Sequence, residues 1–292
     1  MTHIPVLLHE VLEVLDVKPG DVVVDGTLGS GGHAREVIAR IAPGGVFVGV
    51  DRDSNAIRSF KNSEHTVATT ILQANYGQLP EIMETHHLPQ ADALLLDLGF
   101  SSDQLTAGSF AGRGFSFQGN EPLIMTYDDQ TEPLFEQLRG LSEKNLISIL
   151  SELGEETFAP RIAKSIVVRV RKNQMQTTGD LVAAVLEVVP DRYKHGSINP
   201  ATRTFQALRI YVNKELEHLK SLIANLSRVV RVGGRVGIIS FHSLEDRIVK
   251  QAFKELSEGS AHLITKKPIT ANEEELRRNP RSRSAKLRAI IL

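Results

Sequence analysis

The residues best suited to chemistry form one run, Asp25-Gly26-Thr27-Leu28-Gly29-Ser30-Gly31-Gly32-His33. Glycines at this density let a ligand approach the backbone and permit positive φ. Asp51 follows about 20 residues on, where a carboxylate can accept hydrogen bonds from both hydroxyls of a ribose. Together they point to a nucleoside-bearing cofactor. Gly29-x-Gly31-x-x-Ala34 satisfies a loose dinucleotide pattern. Asp25 weighs against that pattern, because a pyrophosphate beside it would meet a like charge. S-adenosylmethionine brings an α-ammonium and a sulfonium, which an acid complements. No Lys-Ser/Thr follows the glycines, so the loop is not a P-loop. On these residues alone a ligand-free glycine turn, an NAD-type cofactor and S-adenosylmethionine stay open, with the last favoured.

Two further segments could reach the same ligand. Asp97-Leu98-Gly99-Phe100-Ser101-Ser102-Asp103-Gln104 begins where an apolar run ends. Ligands of open α/β sheets bind outside the carboxyl ends of strands, which puts Asp97 and Asp25 on one rim. A loop with an Asx or Ser cap is the plainer account. Ser240-Phe241-His242-Ser243-Leu244-Glu245-Asp246-Arg247 ends another run. There Ser243 with Asp246 fits a capping box, a structural role. His242 could touch a substrate or be a satisfied polar residue.

The elements that must carry these residues alternate. Val22–Val24, Val46–Val50, Val67–Leu72 and Ala93–Leu98 read as strands, with Ala34–Ile41 helical between the first two. Such alternation predicts a doubly wound, mostly parallel sheet. From about Thr106 to Asn199 the strand rhythm stops, and Ser142–Leu153, Ala159–Arg171 and Leu181–Val189 read as helices. Lys214–Val230 is an amphipathic helix, Gly233-Gly234 a turn, and Arg235–Ser240 a fifth strand. His262–Lys266 and Lys286–Leu292 could pair at the sheet edge. The expected organisation is α/β, with residues 1–105 and 200–292 forming one discontinuous domain and 106–199 an inserted helical domain.

Composition narrows the function. The 292 residues contain no Cys and no Trp. Disulfides, Cys-ligated metals and thiolate nucleophiles are therefore excluded, and so is Cys addition to a pyrimidine ring. No metal site is expected. No apolar run reaches about 18 residues, so no transmembrane helix is expected. The first ten residues show no signal or transit pattern, which predicts a cytoplasmic protein with no membrane partner. Lys+Arg 34 against Asp+Glu 35 gives a net charge of −1, but the charge is unevenly placed. Arg161, Lys164, Arg169, Arg171 and Lys172 share one acid-free segment, and Arg277, Arg278, Arg281, Arg283, Lys286 and Arg288 another. Such patches suit a polyanion; the plainer account is solvated surface.

The motifs in their order carry a resemblance. His3-Ile4-Pro5-Val6-Leu7-Leu8-His9-Glu10, the loop Asp25–His33, Gly49–Asp53, Asp97–Leu105 and Arg113-Gly114-Phe115-Ser116-Phe117 are its first half. Asn199-Pro200-Ala201-Thr202-Arg203-Thr204-Phe205-Gln206-Ala207-Leu208-Arg209-Ile210, Ser240–Lys250 and Asn279–Arg288 are its second. Nearly end to end, the chain resembles the bacterial 16S rRNA (cytosine-4-amino)-methyltransferases, the RsmH/MraW family. The resemblance implies a class I S-adenosylmethionine-dependent methyltransferase fold, Rossmann-like, with an inserted helical domain. It implies methylation of the exocyclic amine of a cytosine in the decoding region of 16S rRNA, with 16S rRNA or the small ribosomal subunit as partner. It implies cofactor contacts at Gly31, Gly32, His33, Asp51, Tyr76, Asp97 and Gln104, beside the Asp25 and Gly29 read above. Asp97 is the nearest carboxylate for the reacting amine, Phe241 a stacking surface and His242 a group for the base edge. Arg203, Arg209, Arg277, Arg278, Arg281 and Arg283 are candidates for rRNA phosphates. A homodimer is left open. One departure stands out: the family's Pro-Leu-Asp-Met-Arg is here Pro122-Leu123-Ile124-Met125-Thr126, losing an acid and a base together. A ribosome-assembly binding module with altered catalysis and an NAD-dependent oxidoreductase are the competing readings.

Overall fold

The apolar runs that end in aspartate become parallel strands. They are β1 (Val22–Asp25), β2 (Val46–Asp51) and β4 (Ala91–Asp97), with β3 (Ala68–Gln73) at the edge. Three later strands, β5 (Val230–Ser240), β6 (His262–Leu263) and β7 (Lys286–Ile291), complete one seven-stranded sheet in the order β3-β2-β1-β4-β5-β7-β6. The first five strands in that order are parallel, and β7 runs antiparallel to both β5 and β6. The computed structural model describes residues 4–62, 65–98, 111–117, 119–194 and 199–292, apart from the side chain of Arg281.

The chain divides into two compact units, Met1–Ser102 with Leu216–Leu292, and Asp103–Glu215. In the first, strand side chains alternate between two cores. Val23, Ala93, Leu95 and Ile239 join one with helices α1 (Leu8–Leu15), α2 (Gly32–Ile41) and α3 (Ser54–Lys61). Val24, Leu94, Leu96 and Ile238 join the other, beneath α4 (Leu79–Thr85). Burial on both faces explains why these strands read as unbroken apolar runs rather than alternating ones.

The second unit is helical: α5 (Leu134–Gly140), α6 (Glu143–Gly154), α7 (Ala159–Arg171), α8 (Thr178–Val188), the short α9 (Asp191–Lys194) and α10 (Thr202–Asn213). Its limit lies at Glu215 rather than Asn199, because α10 belongs to it. Phe205, Ala207, Leu208 and Val212 of α10 are buried in its core. Gly154 lies so close to α10 that an added Cβ would come within 2.6 Å of the Arg203 carbonyl oxygen.

The expected helix Lys214–Val230 is broken. It forms α11 (Glu215–Ala224) and α12 (Leu226–Val229), and Val230 already pairs with Ala91 in the sheet. The turn expected at Gly233-Gly234 is instead an irregularity inside β5, where pairing shifts between Ala91 and Ala93 and Gly233 adopts φ 78°. The last helices are α13 (Ser243–Ser257) and α14 (Glu273–Arg278). Among the described residues no helix is long and apolar enough to cross a membrane.

Candidate active site

The strand order reverses direction between β1 and β4, which run side by side with Asp25 opposite Leu95. That crevice is where open α/β sheets bind ligands. Asp25 ends β1, Asp51 ends β2 and Asp97 ends β4. Thr27 ties two of these ends together. Its backbone N–H donates to Asp25 Oδ1 at 3.0 Å, and its Oγ1 accepts from the Asp97 backbone N–H at 2.6 Å.

The glycines of the loop divide by role. Gly31 caps α2 with φ 75°, and a Cβ there would lie 2.3 Å from the Phe60 ring. A Cβ on Gly32 would lie 2.4 Å from Pro5 Cγ. Both are small because protein packs against them. Gly29 has φ 51°, and the nearest atom to an added Cβ is the Thr27 oxygen at 3.8 Å, so the space beside its Cα is open. Asp51 holds this position: its Oδ2 accepts from Gly29 N–H at 2.7 Å and its Oδ1 from Asp53 N–H at 2.8 Å. The Arg52 N–H also bonds this carboxylate, which leaves about one acceptor site for a ribose hydroxyl.

The rim concentrates negative charge. Burial pushes Asp25 up to about 6, against the Thr27 N–H and nearby His33, and Asp97 and Asp51 add repulsion. Burial likewise pushes Asp51 up to about 6, against the N–H groups of Asp53 and Gly29. His33 is buried and its pKa is lowered, chiefly by desolvation. Its Nε2 lies 2.9 Å from the Val6 carbonyl oxygen, which can only accept, so Nε2 carries the proton. Nδ1 then lies 3.9 Å from Asp97 Oδ2. Val6 is itself held in place: Glu275 Oε1 accepts from the Leu7 N–H at 2.7 Å, and Asn279 Nδ2 donates to the Ile4 carbonyl at 3.2 Å. Sequence reasoning missed this strap and missed Thr27, although Asp-x-Thr after a strand end is a recognisable side-chain turn.

Tyr76 opens a single 3-10 turn, Tyr76–Gln78, after β3. Asn75 Oδ1 accepts from Gly77 N–H and Gln78 Oε1 from Asn75 N–H. Gly26 packs against it, at 3.1 Å from an added Cβ to Tyr76 Cβ. Gln104 lies outside the described residues.

At the end of β5 the capping box is shifted by one residue from the expected Ser243/Asp246. His242 is the N-cap and Glu245 its partner. His242 Nδ1 accepts from Glu245 N–H at 3.4 Å, while Glu245 Oε2 accepts from Phe241 N–H at 2.8 Å and His242 N–H at 3.3 Å. The imidazole ring is fixed at the start of α13 with Nε2 3.2 Å from Glu245 Oε1. Phe241 is half-buried and packs against the core that includes α1. Asp246, no longer a cap, pairs with Arg288 at 2.6 Å and Lys286 at 3.2 Å.

Several arginines expected to face phosphate have protein partners. Arg209 makes two bonds of 2.9 Å to the Glu215 carboxylate, which also accepts from the Tyr127 hydroxyl at 2.6 Å. Arg203 donates to the Glu155 carbonyl at 2.7 Å. Arg277 and Arg278 sit one helical turn from Glu273 and Glu274, at 3.6 and 2.6 Å. Arg283 is exposed, and the Arg281 side chain lies outside the described residues. At the departure from the family pattern, Thr126 is buried and its hydroxyl donates to the Asp128 carbonyl at 2.8 Å. Arg113 donates to the carbonyls of Thr126 and Asp128 at 2.9 and 3.0 Å, so the segment is satisfied without the missing acid and base.

Residues 1–291 match the MraW methylase family. The chain is 40% identical over 305 residues to the ribosomal RNA small subunit methyltransferase H of Clostridioides difficile, covering 98% of this chain and 97% of that one. It is 42% identical over 296 residues to the protein of the same name from Thermotoga neapolitana, covering 99% and 96%. It is also 42% identical over 294 residues to that of Synechocystis, covering 98% and 92%. The sheet order and the acidic rim at its switch point fit the Rossmann-like, class I architecture that the motifs imply. The chain belongs to the MraW methylase family.

Proposed function

We propose that this methyltransferase moves a methyl group from S-adenosylmethionine to the exocyclic 4-amino group of a cytosine in the decoding region of 16S rRNA. The observation that carries the reading is the pair of carboxylates, Asp25 and Asp97, that end neighbouring strands at the switch point. Their charge suits a cationic ligand and repels a pyrophosphate. The rest of the rim fits the same cofactor. Asp51 offers its remaining acceptor site to the ribose, Gly29 leaves room for close approach, and α2 begins without a side-chain cap. The N–H groups of its first turn suit a carboxylate.

When bound, the cofactor supplies an electrophilic methyl group. The protein must hold the amine in line with it, an orientation effect worth up to about 7–11 kcal/mol. A cytosine amine is a weak nucleophile because its lone pair is delocalised into the ring. Asp97 accepts a hydrogen bond from that amine, so positive charge can develop on nitrogen. The base must be unpaired or flipped to reach it. Phe241 offers a stacking face, and His242, its Nε2 buried 3.2 Å from Glu245 Oε1, positions that face rather than bonding the base edge. Among the described phosphate candidates Arg283 is exposed, whereas Arg209 serves its own unit through Glu215. The partner is 16S rRNA or the small ribosomal subunit, met in the cytoplasm. The reading admits a homodimer, which light scattering would count.

Methylated-nucleoside mass spectrometry of 16S rRNA, with and without this protein, tests the proposal. One additional 4-amino-methylated cytosine in the decoding region is expected. Methylation at a ring carbon, or none with cofactor bound, would reject it.

The acidic rim also fixes a pH dependence. Asp25 titrates near 6 when folded against 3.8 when free, so the ligand-free fold holds extra protons between those values. Its stability falls as pH rises through that window, by about 3 kcal/mol from this buried group alone. A bound cation favours the ionised form and reverses the penalty. The rise in Tm on adding S-adenosylmethionine should therefore be larger at about pH 7.5 than at about pH 5. Equal shifts measured by scanning fluorimetry would contradict the assignment of Asp25.

A further inference from the structure

We propose that a groove between α7 and α8 binds the phosphodiester backbone of RNA, as a second point of attachment beyond the base that is methylated. This rests on the reading of RNA as substrate. The groove encloses about 530 Å³, within the ~300–1,000 Å³ range of ligand clefts. Its walls carry Arg161, Lys164, Arg169 and Lys172 against one carboxylate, Glu187, and Val168 is exposed between them.

Helix electrostatics does not account for these cations. Arg169, Arg171 and Lys172 complement the negative carboxyl end of α7. Arg161 and Lys164 do not, because they sit in the first half of the helix, where the dipole is positive and the first turn carries no acid. Nor does pairing account for them. Arg169 bridges to Glu187 at 2.9 Å, but among the described residues Arg161, Lys164 and Lys172 make no ion pair. All three are exposed. Arg161 with Lys164 and Arg169 with Lys172 are like charges three residues apart, which repel on a helix face.

The spacing selects the ligand. At 1.5 Å per residue, Arg161 and Lys172 stand about 16 Å apart along the axis. A single phosphate or carboxylate cannot reach both, but a chain of phosphates can. Val168 gives the floor an apolar strip on which a ribose or a base can rest.

The test is fluorescence anisotropy with a labelled single-stranded RNA over a range of salt concentrations. It compares the wild type with the triple variant Arg161→Ala, Lys164→Ala, Lys172→Ala. The variant is expected to bind about tenfold more weakly. The slope of log K against log salt should fall by about two, near 0.7 for each phosphate no longer neutralised. Its Tm and its S-adenosylmethionine affinity should be unchanged, and Lys164→Arg with Lys172→Arg should retain RNA binding. Unchanged RNA affinity and slope in a folded triple variant, with the wild type still methylating rRNA, would overturn the groove and leave the proposed function standing. A wild type that neither binds nor methylates RNA would overturn both. A polyglutamate peptide binding as tightly as RNA would overturn the choice of ligand.

Discussion

Replacing Asp97 by Ala should lower methyl transfer about 100- to 1,000-fold, the usual cost of removing one preorganised electrostatic partner of a developing charge. The carboxylate is well placed for that role. Its backbone N–H is fixed by Thr27 Oγ1 at 2.6 Å, so its position is set from the neighbouring strand end. Its side chain is 18% exposed, which limits competition from water while leaving a face for substrate. His33 Nδ1, unprotonated in the neutral ring, lies 3.9 Å away and does not neutralise it. Asp97→Asn keeps the shape and removes the charge, so it separates positioning from electrostatics. If Asp97 acts on the amine, both variants lose kcat while cofactor affinity, measured by calorimetry, changes little. If it serves the cofactor instead, affinity falls with kcat. Near-wild-type turnover with intact cofactor binding would remove Asp97 from the mechanism.

Asp51→Ala should act on binding rather than on the chemical step, lowering cofactor affinity by about 100-fold or more. A hydrogen bond to a charged group is worth about 1.5–3 kcal/mol, and the ribose would lose this acceptor. The loop suffers as well. Gly29 N–H and Asp53 N–H both bond this carboxylate, and each would lose its partner at a cost of about 1–3 kcal/mol. Asp51→Asn keeps one acceptor and should fall between. Calorimetric titration reads the effect directly, and unchanged affinity in the Ala variant would show that the ribose is held elsewhere.

The placement of the rim carboxylates at strand ends was legible in the sequence, because its signals are local. Strands buried on both faces leave continuous apolar runs, and each rim carboxylate sits at the end of one. What was not legible depends on partners distant in sequence. Gly31 and Gly32 look like ligand-approach glycines, yet Phe60 and Pro5 occupy their faces. Gly233 and Gly234 look like a turn, but pairing with β4 carries β5 straight through them. The basic run from Arg277 looks unopposed only if the helix is started too late; Glu273 and Glu274 lie one turn earlier. The capping box moved by one residue because a His ring nitrogen can accept an N–H as a hydroxyl oxygen does. The far limit of the second unit was misplaced because an amphipathic helix such as α10 does not announce which core will cover it. Arg209 was assigned to phosphate for a similar reason: nothing nearby in sequence marks Tyr127 as a second partner of the carboxylate it binds.

The position of β7 has a consequence for how the chain reaches this state. It follows every other strand in sequence, yet it lies between β5 and β6. Among the described residues strand β6 pairs only with β7, so it has no place in the sheet until β7 arrives. Asp246 waits on the same strand for Arg288 and Lys286, and the strap under His33 waits for Glu275 and Asn279. Assembly cannot proceed strand by strand as the chain emerges, and its closing step joins distant segments, a topology associated with slow folding. In that interval β5 is an unpaired edge open to other chains. The period before closure is therefore when aggregation competes most strongly with folding.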